Sequence, residues 1–357
     1  MVVAACLAAT SARAQQPTPT PERTGFEVLW ERTIEMPADE TEAPWLATGG
    51  TAAFVAGAHV GLMAFNAAED GAALWSSTHV SELPPVTAGD IVVTVAERSL
   101  VAVRQARDEV AWRADLDATP TRIVAMADRI AVIAGREIKT WDLHGAAGWH
   151  TSLSGALTTP VVAHEGIAYA GLDDGSLVAV DAATGVVRWR IPVESKLESL
   201  AVDRDRLYAS AANGHLYSFE SARGAKIKWD YGKVRAIRAI GEPVADDRSV
   251  YFTLLDNVLY AFARGGGSER WHRALPNRPV TGPIVLDDSV IVALASGVLI
   301  EVRKDGRIRQ PAAPPNLTLS PSLQSAAATS DRRRVLTVTT TDDAKRRLTA
   351  WGPPPVK

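Results

Sequence analysis

The sequence predicts an all-β, eight-bladed β-propeller built from four-stranded antiparallel blades. Three observations predict it. Tryptophan recurs at Trp30, Trp75, Trp112, Trp149, Trp189, Trp229 and Trp271, with gaps of 45, 37, 37, 40, 40 and 42 residues; a period near 40 with β patterning is propeller spacing. The segments leading to these tryptophans alternate from one residue to the next, as in 177–181, the period of a strand. Gly, Asp and Asn stand where hairpins must turn.

The outer half of each repeat is the clearest. Residues 175–189 read GSLVAVDAATGVVRW, 214–229 GHLYSFESARGAKIKW, 257–271 NVLYAFARGGGSERW, 98–112 RSLVAVRQARDEVAW and 61–75 GLMAFNAAEDGAALW. The shared plan is a turn, an alternating strand, a tight turn and a short strand ending in Trp. Asp174-Gly175 and Thr184-Gly185 supply turn chemistry, because Gly takes φ > 0 without strain.

A second hairpin lies upstream of each such unit, as in 158–175, 241–257 and 281–297. Pro44, Pro85, Pro120, Pro160, Pro243, Pro283 and Pro321 mark its first strand. Proline donates no hydrogen bond to a ladder, so it suits the start of a strand or an edge strand, and the innermost strand of a blade is an edge. Each unit thus holds four strands, A to D from the axis outward. First strands near 45, 86, 122, 161, 200, 244, 284 and 322 make eight units. The last unit lacks a fourth strand, whereas FEVLWERTI (26–34) is an outer-type strand with no hairpin before it. This strand is expected to complete the last blade and close the ring, leaving no open blade.

The seven repeat tryptophans are assigned to packing between adjacent blades, each ring burying about 150–250 Å². The seventh unit has Arg309 and Gln310 near the Trp position, which predicts a weaker blade contact there.

Composition narrows the function classes. The chain has 357 residues, 46% apolar and 22% charged, with a formal net charge of −3. That balance excludes a strongly basic nucleic-acid binder and a disordered acidic chain, and no apolar run reaches the roughly 20 residues of a spanning helix. Cys6 is the single cysteine, so no intramolecular disulfide, cysteine nucleophile or cysteine-based zinc site can form downstream.

Residues 1–14 read as an export signal: MVVAACLAA is apolar, and Ala12-Arg13-Ala14 fits a small-x-small cleavage site before Gln15. A second reading ends the signal before Cys6, because Val3-Ala4-Ala5-Cys6 resembles a lipobox; Cys6 is then the lipidation candidate. Residues 15–25 form a Pro-rich spacer, and 26–357 form a single propeller domain.

The repeat resembles the PQQ-like (quinoprotein-type) β-propeller family, whose pattern is close to G-x-L-x-A-x-D-x-x-T-G-x-x-x-W and is carried by residues 175–189. The resemblance covers about 26–351. Within that family the chain is similar to the BamB-like propellers of outer-membrane assembly, which share the eight blades, the export signal and roughly this length. This likeness implies a non-catalytic scaffold with no cofactor and a protein partner in the cell envelope, such as a barrel-assembly complex. It places the chain in the periplasm or on the periplasmic face of the outer membrane. The only membrane contact expected is a lipid anchor at Cys6, the propeller is expected to be monomeric, and no nucleic acid is involved.

Two alternatives stay open. A quinone (PQQ)-dependent oxidoreductase would hold cofactor and calcium in the channel, but that branch tends to be longer, with large enclosing loops and adjacent cysteines. A carbohydrate- or peptide-binding propeller would expose aromatic rings on one face; Trp45, Trp141 and Trp351 are the tryptophans outside the repeat, and buried rings would count against sugar stacking.

Other chemistry finds little support. Asp173-Asp174, Asp203 and Asp205, Asp246-Asp247 and Asp287-Asp288 stand at strand turns and do not have EF-hand spacing. The histidines (His59, His79, His144, His150, His164, His215 and His272) show no H-x-x-x-H or H-x-H pair. No G-x-S-x-G elbow occurs, and Gly265-Gly266-Gly267 lacks the Lys-Ser/Thr of a phosphate loop. Arg332-Arg333-Arg334 and Lys345-Arg346-Arg347 are the visible basic runs, placed on opposite faces and expected to be solvated. No catalytic, cofactor or metal residue is assigned.

Overall fold

The computed structural model describes residues 25–35, 44–57, 60–221, 225–232, 237–309, 322–329, 331–340 and 345–353. The export signal, Cys6, most of the spacer, Gln310 and Pro321 lie outside the described residues.

Strands follow one another in hairpins, and no helix occurs among the described residues. Strand β1 (Glu27–Ile34) comes first. The first blade is β2–β5 (Trp45–Gly49, Ala52–Gly57, Gly61–Asn66, Ala73–Ser77). The second is β6–β9 (Val86–Ala88, Ile91–Ala96, Ser99–Arg104, Val110–Asp115), and the third β10–β13 (Arg122–Met126, Arg129–Ala134, Glu137–Asp142, Ala147–Ser152). The fourth is β14–β17 (Val162–His164, Ile167–Gly171, Ser176–Asp181, Val187–Pro192), and the fifth β18–β21 (Leu197–Asp203, Arg206–Ala211, Leu216–Glu220, Ile227–Tyr231). The sixth is β22–β25 (Ala239–Ala245, Ser249–Leu254, Val258–Ala263, Glu269–Ala274). The seventh shows three strands, β26–β28 (Ile284–Val285, Ser289–Ala293, Leu299–Arg303), and the eighth combines β29–β31 (Ser322–Ala328, Val335–Thr340, Arg346–Gly352) with β1.

Ring closure comes from β1 pairing antiparallel with β31, from Glu27 opposite Gly352 to Ile34 opposite Arg346. The first strands of most neighbouring blades contact one another around the axis. Threonines stitch them together: Thr48 Oγ1 donates to the Ala328 carbonyl at 2.8 Å, and Thr87 Oγ1 to the Thr48 carbonyl at 2.7 Å. These bonds engage carbonyls that the inner edge strands would otherwise leave open.

The core consists of eight wedges, one between each pair of neighbouring blades. The middle strands of a blade are therefore buried on both faces, as in β3 and β23, whose residues are all buried. The wedge between blades 7 and 8 holds Phe26, Leu286, Ile291, Ala293, Leu299, Val335 and Trp351, the smallest set among the described residues.

Six of the seven repeat tryptophans are paired across the blade with a small residue, and Trp149 falls at the register irregularity between β12 and β13. Trp75 faces Ala64, Trp112 faces Ala102, Trp189 faces Ala179, Trp229 faces Ser218, Trp271 faces Ala261, and Trp30 faces Ala350. In blades 1, 2, 4, 5 and 6 a register irregularity lies beside that pair, and such bulges sharpen the local twist. Each ring then reaches the third turn of the next blade. Trp75 Nε1 donates to the Gln105 carbonyl at 2.9 Å, Trp112 to Leu143 at 2.9 Å, Trp149 to Ala182 at 2.8 Å, and Trp271 to Lys304 at 3.1 Å. The rings lie half-buried at the rim, except for Trp30 and Trp229, which are buried.

Blade 7 departs from this plan. Its fourth strand is reduced, among the described residues, to a bridge between Val302 and Ile308. Glu301 occupies the place that Ala261 holds in blade 6, given that Ser289 faces Arg303 as Ser249 faces Ala263. Glu301 is buried and pairs with Arg309 at 2.8 Å. An ion pair thus stands where the other blades place Trp against a small side chain.

Candidate functional site

Alternating strand direction sorts the connections onto two faces. Turns between first and second and between third and fourth strands share one face; the remaining turns and the inter-blade crossovers share the other. The aspartates of the first face are turn-formers. Asp246 Oδ1 accepts the N–H groups of Arg248 and Ser249, both at 2.8 Å, and Oδ2 accepts the Tyr251 hydroxyl at 2.8 Å. Asp203 and Asp205 are bound by Arg264, and Asp247 by Arg204. Among the described residues no three His, Cys, Asp or Glu side chains cluster as metal ligands would. Asp173-Asp174 stand on the opposite face: Asp174 Oδ1 accepts the Ser176 N–H at 3.0 Å, while Oδ2 pairs with Arg190 at 2.6 Å.

Three concave places deserve comparison. The groove between blades 6 and 7 encloses about 720 Å³ and is lined by charge, including Arg248, Arg270, Lys304, Asp246 and Asp305. Cations and carboxylates nearly balance there, so it selects no charge. A slot of about 280 Å³ beside blade 3 has Leu116, Val132 and Trp141 as its floor and Glu137 and His150 at its rim. Glu137 accepts the Ser152 hydroxyl at 2.6 Å and meets His150 Nε2 at 2.5 Å. These two bonds hold the Glu137 carboxyl below its ordinary range. The serine hydroxyl points to the carboxylate rather than to the imidazole, so the trio lacks the nucleophile–base contact of a hydrolase.

The third place is the channel mouth on the first face. The ends of four inner strands, β18, β22, β26 and β29, line about 330 Å³ there with Val202, Pro243, Val244, Pro283, Ile284 and Ala328. Its charged lining residues are Asp203 and Arg332. Tyr208, fully buried on β19, also lines it, and its hydroxyl has no hydrogen-bond partner among the described residues. Burial pushes that hydroxyl up to about 12, so it stays protonated.

Sequence reasoning named Asp203, Pro243, Pro283 and Arg332 only as turn, strand and solvated residues, and brought none of them to a common site. Tyr208 looks like any core aromatic of an alternating strand, and Arg332 like one of three solvated arginines. Arg332 and Arg333 are exposed, but Arg346 of the other basic run is buried at 5% exposure. It opens β31 opposite Ile34, so strand alternation turns it inward. Trp141 and Trp351 are buried and Trp45 is partly buried. The exposed large apolar residues are Leu74, Val186, Val187, Ile227 and Leu255. Among the described residues none of these exposed side chains is aromatic.

Comparison with known proteins agrees with this architecture. Residues 58–137 and 134–349 match the family described as outer membrane protein assembly factor BamB. A curated relative, the outer membrane protein assembly factor BamB of Bordetella pertussis, is 32% identical over 162 residues. That match spans 42% of this chain and 41% of the relative's length. Among solved structures, BamB from Moraxella catarrhalis superposes with a TM-score of 0.69 at 17% identity, covering 93% of this chain and 99% of that one. A computationally designed protein superposes with a TM-score of 0.73 at 16% identity, covering 91% and 99% of the two chains; these two likenesses speak to the fold alone. The match over most of the propeller, in a ring of eight blades closed by its N-terminal strand, makes this chain a member of the family of outer membrane protein assembly factor BamB.

Proposed function

We propose that the chain is a non-catalytic scaffold of the bacterial cell envelope that assists outer-membrane protein assembly at the periplasmic face of the outer membrane. The family match across residues 58–349 carries the reading. The partner is a protein of the assembly complex, and the export signal of residues 1–14, or a lipid on Cys6, delivers the chain to it.

The test is a crosslinked affinity pull-down of the tagged full-length protein from its own envelope, read by mass spectrometry. Recovery of outer-membrane assembly subunits is the expected result. Recovery of only a cytochrome or other electron carrier would favour the quinone reading and overturn this one.

A further inference from the structure

We infer that the channel mouth lined by Val202, Val244, Ile284 and Arg332 receives an apolar side chain of a protein partner, flanked by a carboxylate that meets Arg332. The inference rests on the protein-scaffold reading and names a surface and a chemistry for it.

The walls define the apolar part. Val202, Val244, Ile284 and Ala328 present hydrocarbon, and Pro243 and Pro283 have no N–H to satisfy. The cavity volume of about 330 Å³ lies within the usual range for pockets that enclose a ligand group, about 300–1,000 Å³. At its wall the Tyr208 hydroxyl is buried and protonated without an acceptor. That hydroxyl is closed off from the cavity space, so recognition of the occupant rests on the hydrocarbon walls and on Arg332.

The charge of the occupant follows from which groups are already engaged. Asp203, the only lining carboxylate, is bound by Arg264 through its side chain and through its carbonyl, the latter at 2.8 Å. Arg332 has no ion-pair partner among the described residues, and its side chain is exposed at the rim. Its position is fixed by the turn. Arg332 takes φ of 53°, its N–H donates to the Thr329 carbonyl at 2.9 Å, and the neighbouring Arg334 reaches the Ala67 carbonyl of blade 1 at 2.8 Å. Asp287 and Asp288 stand on the adjacent turn and do not line the cavity. The uncommitted charge of the cavity is therefore positive, and it selects an anion.

A membrane surface fits this mouth poorly. The cavity is recessed within a ring of turns in which Asp205 and Asp247 are bound by Arg264 and Arg204 and Asp287 and Asp288 stand beside the mouth, so the ring offers an anionic bilayer no continuous positive field. A single inserted segment of a protein avoids that ring and reaches Arg332.

The test uses the full chain and two pools of labelled heptapeptides, N-acetylated and C-amidated. Both have a central Phe and randomised outer positions; one flanks the Phe with Glu, the other with Lys. Fluorescence anisotropy is expected to show saturable binding of the Glu pool and none of the Lys pool. Arg332→Glu should weaken binding by about tenfold or more, the size of a lost charge-assisted contact. The inference is overturned if the two pools bind alike or neither binds, or if Arg332→Glu leaves affinity unchanged. It also fails if free 3-phenylpropionate or phosphatidylglycerol vesicles bind through Arg332 while the peptides do not. Should the Arg332→Glu protein still capture the assembly subunits from the envelope while the Glu pool fails, the scaffold reading survives and this site does not.

Discussion

Gly145 and Gly135 separate two reasons for a glycine. Gly145 takes φ of 89°, and a Cβ there would stand 2.8 Å from Cγ of Trp112. Gly135 takes φ of 61° with nothing within 4 Å. An Ala at either position meets backbone strain, but only Gly145 also seats a tryptophan of the preceding blade. Gly135→Ala is expected to cost about 1 kcal/mol; Gly145→Ala should cost about 3 kcal/mol, the strain plus part of the Trp112 packing. Urea unfolding of the two variants measures the difference, and equal losses would mean that the ring contributes little. Asp181 gives a pH-dependent counterpart. Its carboxylate accepts from Arg188, from the Thr184 hydroxyl and from the Thr184 and Ala183 N–H groups, which lowers it from 3.8 to about 2. A depressed value adds stability that is complete above the unfolded value and lost as pH falls through the folded one. Asp181→Asn should therefore destabilise the protein at neutral pH, with the gap from the parent closing between pH 3.8 and about 2. Thermal unfolding across that range reads it; a gap independent of pH would assign the effect to shape rather than charge.

Blade 7 shows what an element does when its repeat side chain is missing. Glu301 has a side-chain exposure of 4% and Arg309 of 23%, so the two are not equivalent partners. Arg309→Ala removes the countercharge of the more buried carboxylate, which keeps the Gly25 N–H at 3.2 Å, and is expected to cost about 3 kcal/mol. Glu301→Ala leaves a guanidinium that can turn toward water and should cost about 1–2 kcal/mol. Chemical denaturation of both variants decides the order, and the reverse order would mean that the pair is not the element holding this blade. The lost tryptophan was legible, since Arg309 and Gln310 break the repeat, but its replacement was not: Glu301 reads as the polar member of an alternating strand until Arg309 folds back beside it. Strand counting succeeded for a related reason. Hairpin turns are local, so first strands expected near 45, 86, 122 and 284 begin there. The sixth begins at Ala239 rather than near 244, because Pro243 lies within β22 at a register irregularity, which an edge strand tolerates. Tyr208 and Arg332 line one cavity only because the ring brings blades 5 and 8 to one mouth, and no local pattern could place them together.

At the scale of the whole molecule, the eight wedges make closure a matter of stability as well as shape. In an open stack of repeats the two terminal units each lack one neighbour; in a closed ring every blade packs on both faces. Here β1 completes the ring. It supplies Trp30 and Ile34 to the wedge between blades 8 and 1, and Glu31, opposite Thr349, pairs diagonally with Arg347 at 3.6 Å. Removing residues through Ile34 takes away those two buried side chains and Phe26 of the wedge between blades 7 and 8, at about 1.5–3 kcal/mol each, and uncovers the edge of β31. Bare edges template pairing with other chains, so the truncated protein should melt at lower temperature and associate more strongly as concentration rises. Calorimetry and light scattering follow the two effects separately. A truncated chain that stays monomeric and melts with the parent would show that the inner strands alone hold the circle. Loss of both properties would place the lock of the propeller in its outermost strand, far from the channel mouth, so that the mouth keeps its shape only while the rim stays closed.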